Sequence, residues 1–285
     1  MVPRAMLATT DTSSAATVVA ARPRPSSRRR VVAIARNTFR EAVRDRVLYN
    51  LVLFVLLLSV GAVFLGAASA SQDAKIIVDF GLGAMLLFGA FIAIFVGVGL
   101  VWKEIERRTL YAIFAKPVGR GEFLLGKYLG LCVTLALNVA VMGVGVTLVL
   151  VYVARGTPPL LAALWPTVGL IYLELTILTA VALLFSAFSS SILAVFGSLA
   201  VFVIGHFTAD LKGFASLLDV PAARAALVAL CSVLPNLSVF SLITPAAHGV
   251  APPAAYLLAA LVYAIAWDAA LLAAAALLFA RRDFR

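Results

Sequence analysis

Trp102-Lys-Glu-Ile-Glu-Arg-Arg-Thr-Leu-Tyr-Ala-Ile-Phe-Ala-Lys-Pro-Val-Gly-Arg-Gly-Glu-Phe-Leu-Leu-Gly-Lys-Tyr-Leu-Gly130 is the one densely charged passage between long apolar stretches of this chain. Either side of it the sequence turns almost wholly apolar. The chain is 64% hydrophobic with a mean hydropathy of +1.09. Soluble domains run at about 45–50% apolar, so a water-soluble core cannot absorb the excess. A membrane helix needs about 20 apolar residues. In lipid every backbone N–H and C=O must find its partner within the chain, which favours helices. Six spans are expected: 47–70, 80–101, 129–153, 164–187, 192–209 and 254–280. The fold class expected is an all-α integral membrane protein.

The charge is distributed by side. Ten arginines precede the first span, six cations lie in the second connection, and Arg281, Arg282 and Arg285 follow the last span. Lys75, Arg155, Lys212 and Arg224 are all that fall on the other face, so the balance is 19 cations against 4. The positive-inside rule therefore puts both termini and the second connection in the cytoplasm. The net charge of +10 is then explained by topology and contact with anionic membrane lipid, without nucleic acid as a partner.

Residues 1–27 are rich in Ala, Ser, Thr, Pro and Arg, with no apolar run long enough for a signal peptide. They are expected to form a disordered basic cytoplasmic arm. Residues 28–285 then form one transmembrane domain. In it, residues 28–46 read as an amphipathic interfacial helix. Val32, Ala35, Phe39, Ala42 and Val43 share one face, with Arg36, Arg40 and Arg44 alongside. Turns are expected at 70–79, 155–163 and 186–191. The stretch 206–253 carries Asp210, Lys212, Asp219, Asn236 and five prolines, yet is too apolar for a free loop, so short external re-entrant helices are expected. Gly89, Ala93 and Gly97 recur every four residues, a row that admits a close neighbour either within the chain or from a second copy.

The charged passage contains a decoy. Gly121 to Lys127 fits G-x-x-x-x-G-K, but a phosphate loop needs a preceding strand and a Ser or Thr next, and here Tyr128 follows. No segment offers a nucleotide-binding domain, so no cofactor is expected in this chain and any ATP-driven work must come from a partner. Lys103 to Phe114 instead reads as a helix charged at its start and apolar at its end, stopped by Lys116-Pro117. Mixed charge beside exposed Ile105, Leu110, Ile113 and Phe114 suits a docking element, and the segment 103–127 is expected to be one.

These residues resemble the ABC-2 type transporter permeases, in the subgroup that includes the permease associated with nitrous-oxide reductase maturation. The resemblance rests on Glu106, Thr109-Leu110, the apolar run 112–114, Pro117-Val118, Gly119-Arg120, Glu122 and Leu125-Gly126-Lys127, with a basic close at Phe279-Ala-Arg-Arg-Asp-Phe284. Where the family often has Gly before the Thr, this chain has Arg108. The resemblance implies a subunit of an ATP-driven transporter, more an exporter than an importer, in the bacterial inner membrane. It implies a pair of ATPase subunits holding ATP and Mg and a second permease copy or paralogue. It implies that the cytoplasmic segment seats in a groove of the ATPase. By matching position, Glu104, Glu106, Arg107, Arg108, Thr109, Phe114, Arg120 and Lys127 are the coupling candidates.

Two acids lie inside expected spans, Glu174 and Asp268. An unpaired charge in lipid is costly, so each should face protein, a cavity or a partner, either lining a polar path or making one structural hydrogen bond. Cys132 and Cys231 fall on opposite faces, so no internal disulfide is expected. His206 and His248 lie in no metal-ligand or catalytic pattern. Two other functions share these features. A non-transporting scaffold would use the same docking segment. An ATP-independent secondary transporter would need more intramembrane charge and broken helices.

Overall fold

The computed structural model describes residues 26–42, 53, 54, 57, 61, 73–106, 119–154, 158–217 and 220–281, and the regular elements among them are all helical. Most of the expected first span, the arm to residue 25 and residues 107–118 lie outside the described residues. The order is α1 (Ser27–Ala42), α2 (Asp73–Phe91), a π-helical turn (Ile92–Val96), α3 (Gly97–Glu106), α4 (Arg120–Ala154) and α5 (Pro158–Phe188). There follow α6 (Ser191–His206), α7 (Thr208–Ser216), α8 (Pro221–Val233), a 3₁₀ turn (Leu237–Phe240), α9 (Ile243–Ala247) and α10 (Ala254–Arg281). Among the described residues, four helical stretches are long and apolar enough to cross a membrane: Asp73–Leu100, Gly121–Val153, Pro159–Phe188 and Ala254–Phe279. The number rises to six if each of two bent helix pairs counts as one span.

α5 is the hub of the bundle, packed against α2, α3, α4, α6 and α10. Leu170, Leu175, Ile177, Leu178, Ala180 and Leu183 are all buried, on every side of the helix. α10 is the opposite case, with Leu258, Val262, Ile265 and Leu277 left uncovered, as suits a helix whose outer face meets lipid. Lipid tails are as apolar as leucine, so helices associate by close packing rather than by escape from water. The small-residue row does this within the chain. A Cβ on Gly89 would lie 2.4 Å from Leu175 Cδ1, and one on Gly97 would lie 3.2 Å from Ala182 Cβ. Both neighbours belong to α5.

Polar residues on buried helix faces are turned back into their own helices. Thr134, Thr167, Thr179, Ser186 and Ser198 each donate to the carbonyl four residues earlier at 2.6–2.9 Å. This satisfies the hydroxyls without a partner helix. Thr167 does so beside Pro166, whose ring interrupts the ladder inside α5.

Two expectations are adjusted. The turns at 70–79 and 155–163 are shorter than read, because α2 begins at Asp73 and α5 at Pro158. Asp at a helix start is favoured by the dipole, and Pro by its missing N–H. The expected fifth span is not straight: α6 and α7 meet at 64° around Phe207. On α1 the inward face is Val31, Ile34, Ala35, Thr38 and Ala42, and Val32 points away at 65% exposure.

Candidate functional site

The charged passage leaves the bundle at the end of α3 and returns at Arg120. Glu104 and Glu106 lie on the last turn of α3, and Arg120 opens α4. Arg107, Arg108, Thr109 and Phe114 lie outside the described residues. What the structure describes in detail is the platform at the C-terminal end of the passage.

That platform is α1 laid along the first turns of α4, the most extensive helix pair in the fold. Two glycines one turn apart admit it. A Cβ on Gly126 would lie 2.7 Å from Ile34 Cβ, and one on Gly130 would lie 2.6 Å from both the Ala35 carbonyl oxygen and Thr38 Cβ. Charge fixes the register. Arg30 donates through Nε to Glu122 Oε2 at 2.9 Å and through Nη2 to Oε1 at 2.7 Å. This two-pronged pairing is the strongest form an arginine offers a carboxylate. Ser27 Oγ adds a bond to Oε1 at 2.6 Å, and the Gly119 N–H reaches Oε2 at 3.3 Å. Bonding to Glu122 raises the Arg30 pKa above its ordinary value, so the guanidinium holds its charge.

Lys127 faces inward. It is 1% exposed, lies 3.6 Å from Glu41 Oε2 and sits over the Phe123 ring at 5.7 Å. Phe123 stacks on Phe279 near the end of α10, with centroids 6.3 Å apart. The N-terminal helix, the start of α4 and the end of α10 thus converge at one end of the bundle. Those are the segments that the charge distribution assigns to one side. The G-x-x-x-x-G-K stretch lies within α4, where Gly126 receives Ile34 rather than a phosphate.

The opposite end is capped by residues 236–249. Leu237 and Phe240 are fully buried, and Gly205 of α6 meets Leu237 and the Pro235 carbonyl. Asn236 Oδ1 takes bonds from Ser238 N and Oγ, and the Asn236 N–H donates to Tyr263 Oη at 2.8 Å. Gly249 takes φ +74°, a conformation open to glycine, where the chain passes Pro159 at the start of α5.

Both intramembrane acids attach to α5, at separate places. Glu174 is fully buried, with Oε1 3.2 Å from His206 Nε2 at the end of α6. His206 Nδ1 donates to the Phe202 carbonyl at 3.2 Å, which turns Nε2 toward the acid. Asp268 of α10 receives Thr176 Oγ1 at 3.0 Å, with Tyr128 beside it. Residues 174 and 176 are two steps of about 100° apart on the helix, so the acids project to different sides of α5 and are not brought together within the chain. Among the described residues no three His, Cys, Asp or Glu side chains form a metal cluster. Cys132 and Cys231 are free and buried.

Four pairings were not legible beforehand: Arg30 with Glu122, Glu41 with Lys127, His206 with Glu174, and Thr176 with Asp268. The spacing of Gly126 and Gly130 was the available signal for the first two.

The pattern that describes the ABC-2 family transporter proteins matches residues 32–284. The chain belongs to the ABC-2 transporter family. Among curated relatives, the probable ABC transporter permease protein NosY of Pseudomonas aeruginosa is 35% identical over 108 residues, which is 36% of this chain and 39% of that protein. NosY of Stutzerimonas stutzeri is 31% identical over 112 residues, 38% of this chain and 41% of that one. The chain thus matches about two fifths of the length of these relatives. With several apolar helices and this family, it is a multi-pass membrane protein.

Proposed function

We propose that this chain is the permease subunit of an ATP-driven exporter in a bacterial inner membrane. It pairs with a second permease copy or paralogue and is driven by two cytoplasmic ATPase subunits that hold ATP and Mg²⁺. The observation that carries the proposal is the braced platform. The charged passage 103–127 re-enters the bundle at Arg120, where α1, the start of α4 and the end of α10 are locked together by Arg30–Glu122, Lys127–Glu41 and Phe123–Phe279. A load applied by an ATPase to that passage would reach α4 and α10 through packed contacts rather than through a loose connector.

In this reading Glu104, Glu106, Arg107, Arg108, Thr109, Phe114 and Arg120 meet the ATPase. Lys127 contributes by holding the platform, since its ammonium group is turned toward α1. The permease itself hydrolyses nothing. The membrane path, if it uses Glu174 or Asp268, would run between helices of two copies, because the two acids diverge around α5.

The test is co-purification with the ATPase encoded beside the gene, followed by hydrolysis measurements. The double variant Glu106→Arg, Arg107→Glu is expected to lose the complex or its stimulated hydrolysis while melting at the wild-type temperature. A complex indifferent to that change would overturn the coupling role. The scaffold reading draws on the divergence of the two acids, which leaves no continuous polar line within a single chain. It predicts a stable ATPase complex in vesicles with no nucleotide-dependent movement of any substrate.

A further inference from the structure

α1 sorts its charges by face. Those that point inward are paired: Arg30 with Glu122 and Glu41 with Lys127. Those that point outward are not. Arg28, Arg29, Arg36 and Arg40 are exposed and have no acidic partner among the described residues. They ring an open groove of about 520 Å³ whose apolar surface is Val32 and Ala33, with Asn37 beside them. Val32 is 65% exposed among these arginines, an apolar spot beside unpaired positive charge.

We propose that this groove holds the headgroup of an anionic phospholipid. Arg36 and Arg40, one turn apart, would bind its phosphate, Arg28 and Arg29 would meet neighbouring headgroups, and Val32 would meet the first carbons of an acyl chain. Three features favour lipid over a protein surface. The groove is open along the helix rather than closed around a side chain. Its polar donors are fork-shaped guanidiniums, suited to phosphate. Its apolar part lies beside the charges, as in a lipid, where chain adjoins headgroup. The site rests on the permease reading only in placing α1 at the cytoplasmic membrane surface. There, anionic headgroups are concentrated.

The consequence is a lipid-dependent platform. α1 carries the bound lipid on one face and α4 on the other, so headgroup occupancy would stiffen the brace beneath the coupling passage.

The test uses the full chain in complex with its ATPase, reconstituted in phosphatidylcholine nanodiscs with a graded fraction of phosphatidylglycerol. Lipid retained after extraction into detergent is counted by native mass spectrometry. Wild type is expected to retain phosphatidylglycerol in preference to phosphatidylcholine. A groove variant with Arg28, Arg29, Arg36 and Arg40 all changed to Gln should lose that preference. In that variant the ratio of retained phosphatidylglycerol to phosphatidylcholine should fall to the ratio supplied in the nanodisc. A control with Arg4, Arg22, Arg24 and Arg285 changed to Gln has the same net charge and should keep the preference. A single Val32→Asp change should lose it.

Equal loss in the groove and control variants would overturn the site in favour of diffuse attraction, and so would loss in neither. Should the groove variant release the ATPase but keep phosphatidylglycerol, the face belongs to the protein partner and the lipid site is wrong. ATPase co-elution is scored on the same samples. Retained phosphatidylglycerol without any ATPase complex would remove the permease reading and leave the lipid site standing.

Discussion

Gly130 has no room for a methyl group. Its missing Cβ would meet a backbone carbonyl oxygen, that of Ala35, at 2.6 Å. A backbone cannot rotate aside as a side chain can, so Gly130→Ala must push α1 off α4. Overpacking of this kind costs about 1–3 kcal/mol. The variant is expected to show a lower melting temperature in detergent and faster proteolysis in α1, read by mass spectrometry of the fragments. Unchanged α1 protection would mean that α1 does not sit in this notch. Thr176 is constrained differently. Its one proton has two acceptors in reach, the Leu173 carbonyl at 2.7 Å and Asp268 Oδ2 at 3.0 Å. An amide at position 268 donates to Thr176 Oγ1 and leaves the hydroxyl proton for Leu173. Asp268→Asn is therefore expected to melt at or above the wild-type temperature. Asp268→Leu, which offers Thr176 and the neighbouring Tyr128 nothing, should melt lower. A drop in Asp268→Asn as large as that in Asp268→Leu would show that the carboxyl makes a contact which the amide cannot replace.

Among the elements, legibility followed the range of the forces involved. Apolar runs of membrane length are a local property, so the long helices α2–α3, α4, α5 and α10 fall on the apolar runs, although the first three membrane-length stretches begin at Asp73, Gly121 and Pro159, earlier than the expected 80, 129 and 164. The bend between α6 and α7 is not local. Residues 192–209 contain no proline and read as a plain span, yet the helix breaks at Phe207, two residues past Gly205, where Leu237 and the Pro235 carbonyl pack closely from more than two dozen residues away. The apolar face expected on α1 left open which stripe packs on protein. Its periodicity admits two neighbouring apolar stripes, and only the notch at Gly126 and Gly130 selects the one through Val31, Thr38 and Ala42. The acids Glu174 and Asp268 were visible as anomalies in apolar runs, but their partners His206 and Thr176 sit on other helices or look like ordinary lining. The row from Gly89 to Gly97 left two readings open, and contact with α5 decides for packing within the chain. Here the obstacle is the end of a side chain, Leu175 Cδ1. Gly89→Ala should therefore be milder than Gly130→Ala, because Leu175 can turn away. The pair Gly89→Ala, Leu175→Ala should recover little, since the truncation leaves a cavity worth about 2–5 kcal/mol. Melting temperatures of the two single variants and the double variant test this ordering.

At the scale of the whole molecule, charge and packing give two independent arguments for one topology. The 19-to-4 split of cations assigns the N-terminal region, the second connection and the C-terminus to the same side. The structure brings α1, the start of α4 and the end of α10 together through contacts that owe nothing to that count, Phe123 on Phe279 among them. The cap at residues 236–249 closes the other end, where it meets the start of α5 at Pro159 and reaches Asp79 of α2 through Thr244. If the positive end is cytoplasmic, Ser190, in the exposed turn between α5 and α6, faces the cytoplasm. Val250, beside the cap and exposed, faces outward. In a background with Cys132 and Cys231 changed to Ala, a membrane-impermeant maleimide added to intact cells should label Val250→Cys at once. It should label Ser190→Cys only after permeabilisation. Both native thiols are buried, so each change to Ala leaves a small void, and the melting temperature of the thiol-free background is checked first. The reverse pattern would invert the chain in the membrane and move the coupling passage away from any cytoplasmic ATPase. Labelling of both positions in intact cells would break the assumption that the two ends of this bundle lie on opposite sides of a bilayer. In either case the charge split would need another cause, because a topology rule that fails here cannot also explain the basicity of the chain.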